Sequence, residues 1–130
     1  MSESNQEQPL IALALSKAGA TVFRNNTGMG WIGESVRLRD GSILIKNPRP
    51  LHAGLTKGSS DLIGWKPTLI TEEMVGSILA VFTAIEVKAK SGRATKEQLH
   101  FIDMVRKGGG IGGIARTPEE AVLLLQKMLL

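Results

Sequence analysis

Thr83-Ala84-Ile85-Glu86-Val87-Lys88-Ala89-Lys90 is the stretch whose reading decides the fold. It follows the apolar run Ile78-Leu79-Ala80-Val81-Phe82, and the two together predict one long, largely buried strand. Side chains on a strand alternate faces, so Glu86 and Lys88 should emerge on one side, one pleat apart. Ile85, Val87 and Ala89 should then face a core. A carboxylate and an ammonium so placed form, in the plainest reading, a surface pair on a half-exposed strand. Asp61 shifts the balance. It lies in a second strand-like segment led by small residues, Gly58-Ser59-Ser60. Two carboxylates and a lysine converging at sheet ends have the chemistry to hold a divalent metal and manage a water nucleophile.

The totals narrow the classes. A chain of 130 residues with 42% apolar content reads as one globular domain, residues 1–130. Its apolar runs fall short of the ~20 residues that cross a bilayer, and the polar start, Met1 to Gln8, is no signal peptide. With no cysteine there is neither disulfide nor thiolate metal site, which suits the cytoplasm. Two histidines, His52 and His100, make a histidine-built zinc site a poor expectation. The net charge of +4 favours an anionic partner. Between Gly41 and Ile70 the bases are Lys46, Arg49, Lys57 and Lys66, against Asp61 as the sole acid. Lys88, Lys90, Arg93 and Lys96 follow the decisive strand. Positive charge therefore flanks both carboxylates, as a phosphate-bearing substrate requires, although a basic solvated surface has the same composition.

Outward from this centre, Leu10 to Ala18 predicts a first helix that ends at Gly19, with Pro9 in its first turn. Ser4 and Glu7 have capping-box spacing, so Glu7 has a local structural role to weigh against a catalytic one. Ala20 to Asn25 reads as a strand. Gly28-Met29-Gly30-Trp31-Ile32-Gly33 fits GxGxxG formally, but a strand-like Ser35 to Arg39 follows where a dinucleotide site needs a helix, so the stretch reads as a glycine-rich loop. Gly108 to Gly113 repeats the coincidence. Asp40-Gly41 predicts a hairpin turn, Asn47 to Gly58 a long loop, and Thr68 to Thr71 a returning antiparallel strand. Thr71-Glu72-Glu73 reads as a brief helical turn. Thr95 and Gln98 have capping-box spacing at the head of a helix closed by Gly108. Ile111 to Ala115 reads as a strand. Thr117-Pro118-Glu119-Glu120 opens a final helix, Ala121 to Leu130, apolar on more than one face.

The order is helix, antiparallel strands bearing Asp61, a strand bearing Glu86 and Lys88, then helix, strand, helix. It resembles the PD-(D/E)xK nuclease superfamily and, within it, a stand-alone VRR-NUC domain, the virus-type replication-repair nuclease. The resemblance rests on Glu7, on Arg24 to Gly28, on Lys57 to Gly64, on Ile85 to Lys88, and on Gly92 to Thr95 with Gln98 and Phe101. Ser60 stands where the superfamily name has proline. The resemblance implies an α/β, restriction-endonuclease-like core: a mixed central β-sheet flanked by α-helices. It implies Asp61, Glu86 and the Val87 carbonyl as metal ligands, with Glu7 as an outer or second-metal carboxylate. Lys88 would orient or deprotonate the attacking water, and Gln98 would fix that water or the scissile phosphate. The cofactor would be Mg2+, with Mn2+ able to substitute. Lys57, Ser59, Ser60, Lys90 and Arg93 would meet DNA.

The function so implied is a metal-dependent endonuclease, structure-selective on branched or junction DNA, acting as a homodimer. A small phage-encoded copy working in the host cell cytoplasm fits that picture. Two other readings stay open: a non-selective or restriction-type nuclease, and a catalytically silent DNA-binding module of the same fold.

Overall fold

The structure, a computed structural model, describes residues 4–126, with side chains from residue 6 onward. The elements run α1 (Ser4–Lys17), β1 (Thr21–Arg24), β2 (Gly28–Arg37), β3 (Ile43–Ala53), β4 (Leu62–Trp65), a 3-10 turn (Glu72–Met74), β5 (Thr83–Val87), α2 (Lys96–Lys107), β6 (Ile111–Ala115) and α3 (Pro118–Gln126). The α/β class expected from the sequence is what the chain forms. Its strands pair two by two, as β1–β4, β2–β3 and β5–β6, so the expected central sheet is met as three ladders. The chain gathers into two compact units, one of Val22–Ile63 and one of the residues on either side.

In the flanking unit, β5 and β6 pair in parallel, Thr83 with Ile111 through Val87 with Ala115. Parallel neighbours need a crossover, and α2 supplies it. Gly112 and Gly113 explain why helices fit on both faces of β6. A Cβ on Gly112 would lie 3.0 Å from the Ile102 carbonyl of α2, and one on Gly113 would lie 2.6 Å from Leu124 of α3. Successive strand residues face opposite ways, so each missing side chain admits one helix. The core of this layer is Ile102, Val105 and Ala115, all buried. Trp65 extends it, its ring 4.7 Å from Phe82 and edge-on to Phe101 at 6.5 Å.

The helix ends follow their local chemistry. At the end of α1 the Gly19 N–H donates to the Ser16 carbonyl and the Ala20 N–H to Leu15, a Schellman closure that uses the positive φ of Gly19. Pro9 lies inside α1, past the first turn expected for it, where the ring removes one helical hydrogen bond. The Thr117 hydroxyl caps α3 by accepting from the Glu120 N–H, and the Glu120 carboxylate reaches back to the Arg116 N–H. Met128 to Leu130 lie outside the described residues; within them Val122, Leu123 and Leu125 are exposed.

Around the decisive strand several expectations are corrected. The long central strand is only Thr83–Val87, and Ile78 is 97% exposed. Its partner β6 begins at Ile111, whose N–H donates to the Phe82 carbonyl, so residues before Phe82 have no ladder to join. Ala89, expected in a core, is exposed, and so is Val87, at 76%. Val87 lies one pleat beyond Ile85, whose register partner Gly113 is where α3 packs. Thr68 to Thr71 forms no strand.

In the other unit, β2 and β3 make an antiparallel ribbon, Gly28 opposite Ala53 through Arg37 opposite Ile43. Its turn is at Asp40-Gly41, as expected. Ser42 donates to the Asp40 carboxylate through its N–H at 2.9 Å and its hydroxyl at 2.6 Å. These bonds hold the Asp40 carboxyl below its ordinary range. The glycine-rich stretch and the first half of the expected long loop are, in contrast, the paired strands themselves. Pro48 and Pro50 are tolerated because a two-stranded ribbon leaves each strand one edge where a missing N–H costs nothing. The register shifts between Ile32 and Glu34, opposite Asn47 at φ 50. A Cβ on Gly33 would lie 2.6 Å from the Lys46 carbonyl, so this bulge needs glycine there.

Candidate active site

Glu86 shares its strand face with Ala84, whose register partner Gly112 packs under α2. That puts the carboxylate beside the first turn of α2, where the helix dipole favours negative charge. Gln98 Nε2 donates to Glu86 Oε1 at 2.8 Å. Lys88 Nζ lies 3.2 Å from the same oxygen, the two side chains being 19% and 29% exposed for Lys88 and Glu86. The same-face spacing read from the sequence thus brings Glu86 and Lys88 together.

The helix cap expected at Gln98 forms, and the same side chain also reaches Glu86. Gln98 Oε1 accepts from the Thr95 N–H at 2.9 Å while its own N–H donates to the Thr95 hydroxyl at 3.1 Å. That reciprocal cap occupies the amide oxygen. It leaves the amide nitrogen to hold Glu86, so the helix cap is also the clamp on the carboxylate. Glu86, Glu97, Gln98 and Phe101 line a cleft of about 350 Å³ floored by Ile85 and Ile102. Glu97 has no place in the sequence reading; its position beside Gln98 in the chain was the available signal.

The segment after β5 is tied down at both ends. The Lys88 N–H donates to the Ala115 carbonyl at 3.1 Å, and Arg116 Nη1 donates to the Ala89 carbonyl at 2.9 Å. Phe82 and Lys88 face the β6 ladder, so strand alternation turns the Val87 carbonyl away from it. Lys90 and Arg93 are exposed beside this turn, and Glu7 is exposed in the first turn of α1.

Asp61 belongs to the other unit, exposed, one residue before β4. Its carbonyl accepts from the Asn25 N–H at 2.8 Å. The Asn25 side chain organises the rest of the loop. Its Nδ2 donates to the Ser59 hydroxyl at 2.7 Å and the Ser60 carbonyl at 2.9 Å, and its Oδ1 accepts from the Leu55 N–H at 3.0 Å. The resemblance includes Asn25 but implies no role for it, and the geometry gives it one. Of the DNA-facing candidates here, Ser59 is half-buried under that clamp, while Lys57 and Ser60 are exposed.

The family model for the VRR-NUC domain matches residues 35–117. The chain belongs to the VRR-NUC domain family. The match spans more than half of the chain and includes Asp61, Glu86, Val87, Lys88 and Gln98; Glu7 and Asn25 precede it. No curated protein and no solved structure matches the chain. A VRR-NUC domain is a nuclease-type domain whose partner is DNA. No described helix is long and apolar enough to cross a membrane.

Glu86 and the Val87 carbonyl in one unit, and Asp61 in the other, each offer oxygen, the donor type that hard divalent cations take. Among the described residues no three histidine, aspartate or glutamate side chains form a cluster.

Proposed function

We propose that this VRR-NUC domain is a Mg2+-dependent DNA endonuclease with a preference for branched DNA. The observation that carries the reading is the Gln98–Glu86–Lys88 cluster: one carboxylate oxygen held by both the Gln98 amide and the Lys88 ammonium, with Glu86 and Gln98 lining a cleft. Glu86, the Val87 carbonyl and Asp61 would hold the cation, with Glu7 as an outer carboxylate. Bound there, the metal would supply Lewis-acid polarisation of the phosphate and a lower water pKa.

The remaining work falls to the chain. Gln98 fixes the carboxylate rotamer, so the oxygens are preorganised before substrate arrives. Lys88 offers its ammonium to the charge that builds on the phosphate oxygens, and it orients the attacking water. Lys57, Lys90 and Arg93, all exposed, meet neighbouring phosphates, with Ser60 as a further hydrogen-bonding group. Aromatic residues are 4% of the chain, which favours recognition by backbone and DNA shape over base stacking.

Symmetric cutting of a junction calls for two sites, and a two-fold homodimer provides them. Met29 at 58% exposure and Trp31 at 54% share one face of β2 and make it an apolar surface suited to such an interface, with Ile32 at 41% on the opposite face. Light scattering across a micromolar dilution series tests this; a persistent monomer that resolves branched DNA would exclude it. The activity is tested on branched, flapped, single-stranded and linear DNA with and without Mg2+. Equal rates on all substrates would favour the non-selective reading, and no cleavage with either Mg2+ or Mn2+ would favour the silent one.

A further inference from the structure

The Asp61-bearing unit contains a second cleft, of which the nuclease reading uses only Lys57. It encloses about 480 Å³ between β3 and the loop after it, lined by His52, Lys57, Thr27 and Thr56 with Ala53, Leu55 and Gly28. That volume falls within the range of small-ligand sites, about 300–1,000 Å³. Its chemistry is one-sided. No carboxylate lines it, while an imidazole, an ammonium and two hydroxyls do, all groups that donate to an anion. Leu55 and Ala53 add a small apolar wall.

The cleft is also built. The Leu55 N–H is fixed on Asn25 Oδ1, and the Ser59 N–H donates to the Thr56 carbonyl at 3.0 Å. Gly54, at φ 78, passes so close to Asn26 that a Cβ would lie 2.5 Å from its carbonyl oxygen. The loop that forms the wall is therefore the loop that continues, four residues after Lys57, into Asp61.

We propose that this cleft seats one backbone phosphate of the DNA strand, held by His52 and Lys57 with the threonine hydroxyls, and the sugar against Leu55. Seating a phosphate on the Asp61 loop fixes the register of the strand relative to that carboxylate. The inference rests on DNA as partner, not on the metal chemistry of Glu86.

The chain's two histidines make the test direct, because His100 on α2 serves as an internal reference. A thymidine dinucleotide, carrying one phosphodiester, is titrated into the metal-free protein while both imidazole resonances are followed by NMR, with thymidine as the phosphate-free control. The His52 resonance should shift saturably with the dinucleotide and not with thymidine, while His100 stays still. Lys57→Ala should weaken the saturation several-fold, and on single-stranded DNA it should lower the log–log salt slope by about 0.7, the contribution of one phosphate. A still His52 resonance, or an equal response to thymidine, overturns the proposal. The same protein preparation is assayed for Mg2+-dependent cleavage. Cleavage without a His52 response removes the cleft alone, and a His52 response without cleavage removes the catalytic reading alone.

Discussion

The two regions that carry the candidate residues are held in opposite ways. Around Glu86, side chains bind one another: Gln98 and Lys88 converge on a single carboxylate oxygen, over a parallel ladder covered on both faces by helices. Around Asp61, one side chain ties mainly to the main chain: Asn25 holds the Leu55 N–H, the Ser60 carbonyl and the Ser59 hydroxyl, and its own N–H donates to the Asp61 carbonyl. The first arrangement fixes where charged atoms sit. The second fixes the path of a loop and leaves its carboxylate exposed. Substitutions should therefore act on chemistry in the first region and on geometry in the second.

The largest expected effect is in the first. Lys88→Ala should lower the single-turnover cleavage rate by about 10²–10³-fold, the usual cost of losing one preorganised transition-state contact, with DNA affinity little changed. A matching loss of affinity would mean that Lys88 is a binding residue.

Asn25→Ala probes the second region. Freeing the loop should lower cleavage by about 10²-fold, as misplacement of a catalytic group by ~1 Å does. Asn25→Asp keeps the acceptor for Leu55 but loses the donor to Ser59 and Ser60, so it should fall between. Equal activity in all three proteins would detach the loop from the chemistry.

Thr95→Ala separates the two roles of Gln98. Loss of the cap should cost about 1 kcal/mol in denaturant unfolding. The Gln98 bond to Glu86 remains available, so the cleavage rate should fall far less than in Gln98→Ala. Equal losses in the two variants would mean that Gln98 acts only through the helix end.

The smallest effect is at the ribbon turn. The Asp40 carboxyl is held below its ordinary value of 3.8, first by the Ser42 hydroxyl and then by the Ser42 N–H. A depressed carboxyl contributes stability above its unfolded pKa, and that stability is lost as pH falls through the folded value. Asp40→Asn should therefore narrow the stability difference between neutral pH and pH below 3.8, read from urea midpoints; an unchanged difference would remove Asp40 from acid unfolding.

The same contrast explains what the sequence made legible. Glu86 and Lys88 could be paired on paper because strand alternation is rigid, and the Thr95–Gln98 spacing gave the cap for the same reason. Gly108, Thr117 and Pro118 marked helix ends by local chemistry. The β2–β3 ribbon was half missed, since its glycines and prolines argue for a loop until a partner strand supplies the ladder. Strand length was over-read at Ile78 to Phe82 because apolar content says nothing of how long β6 is. The role of Asn25 depends on contacts 30 to 35 residues away, which no local pattern encodes. Glu7 had two readings in the sequence, and its exposed place in α1 agrees with either.

The central claim is that Glu86, oriented by Gln98 and paired with Lys88, belongs to the catalytic machinery of a metal-dependent nuclease. Single-turnover cleavage of a four-way junction and of its linear arms, with Mg2+ and with Ca2+, by the unaltered protein and by Glu86→Ala, tests it most directly. The expected result is Mg2+-dependent cutting that favours the junction, suppressed by Ca2+ and abolished in a Glu86→Ala protein that still binds the junction. Undiminished cutting by Glu86→Ala would contradict it.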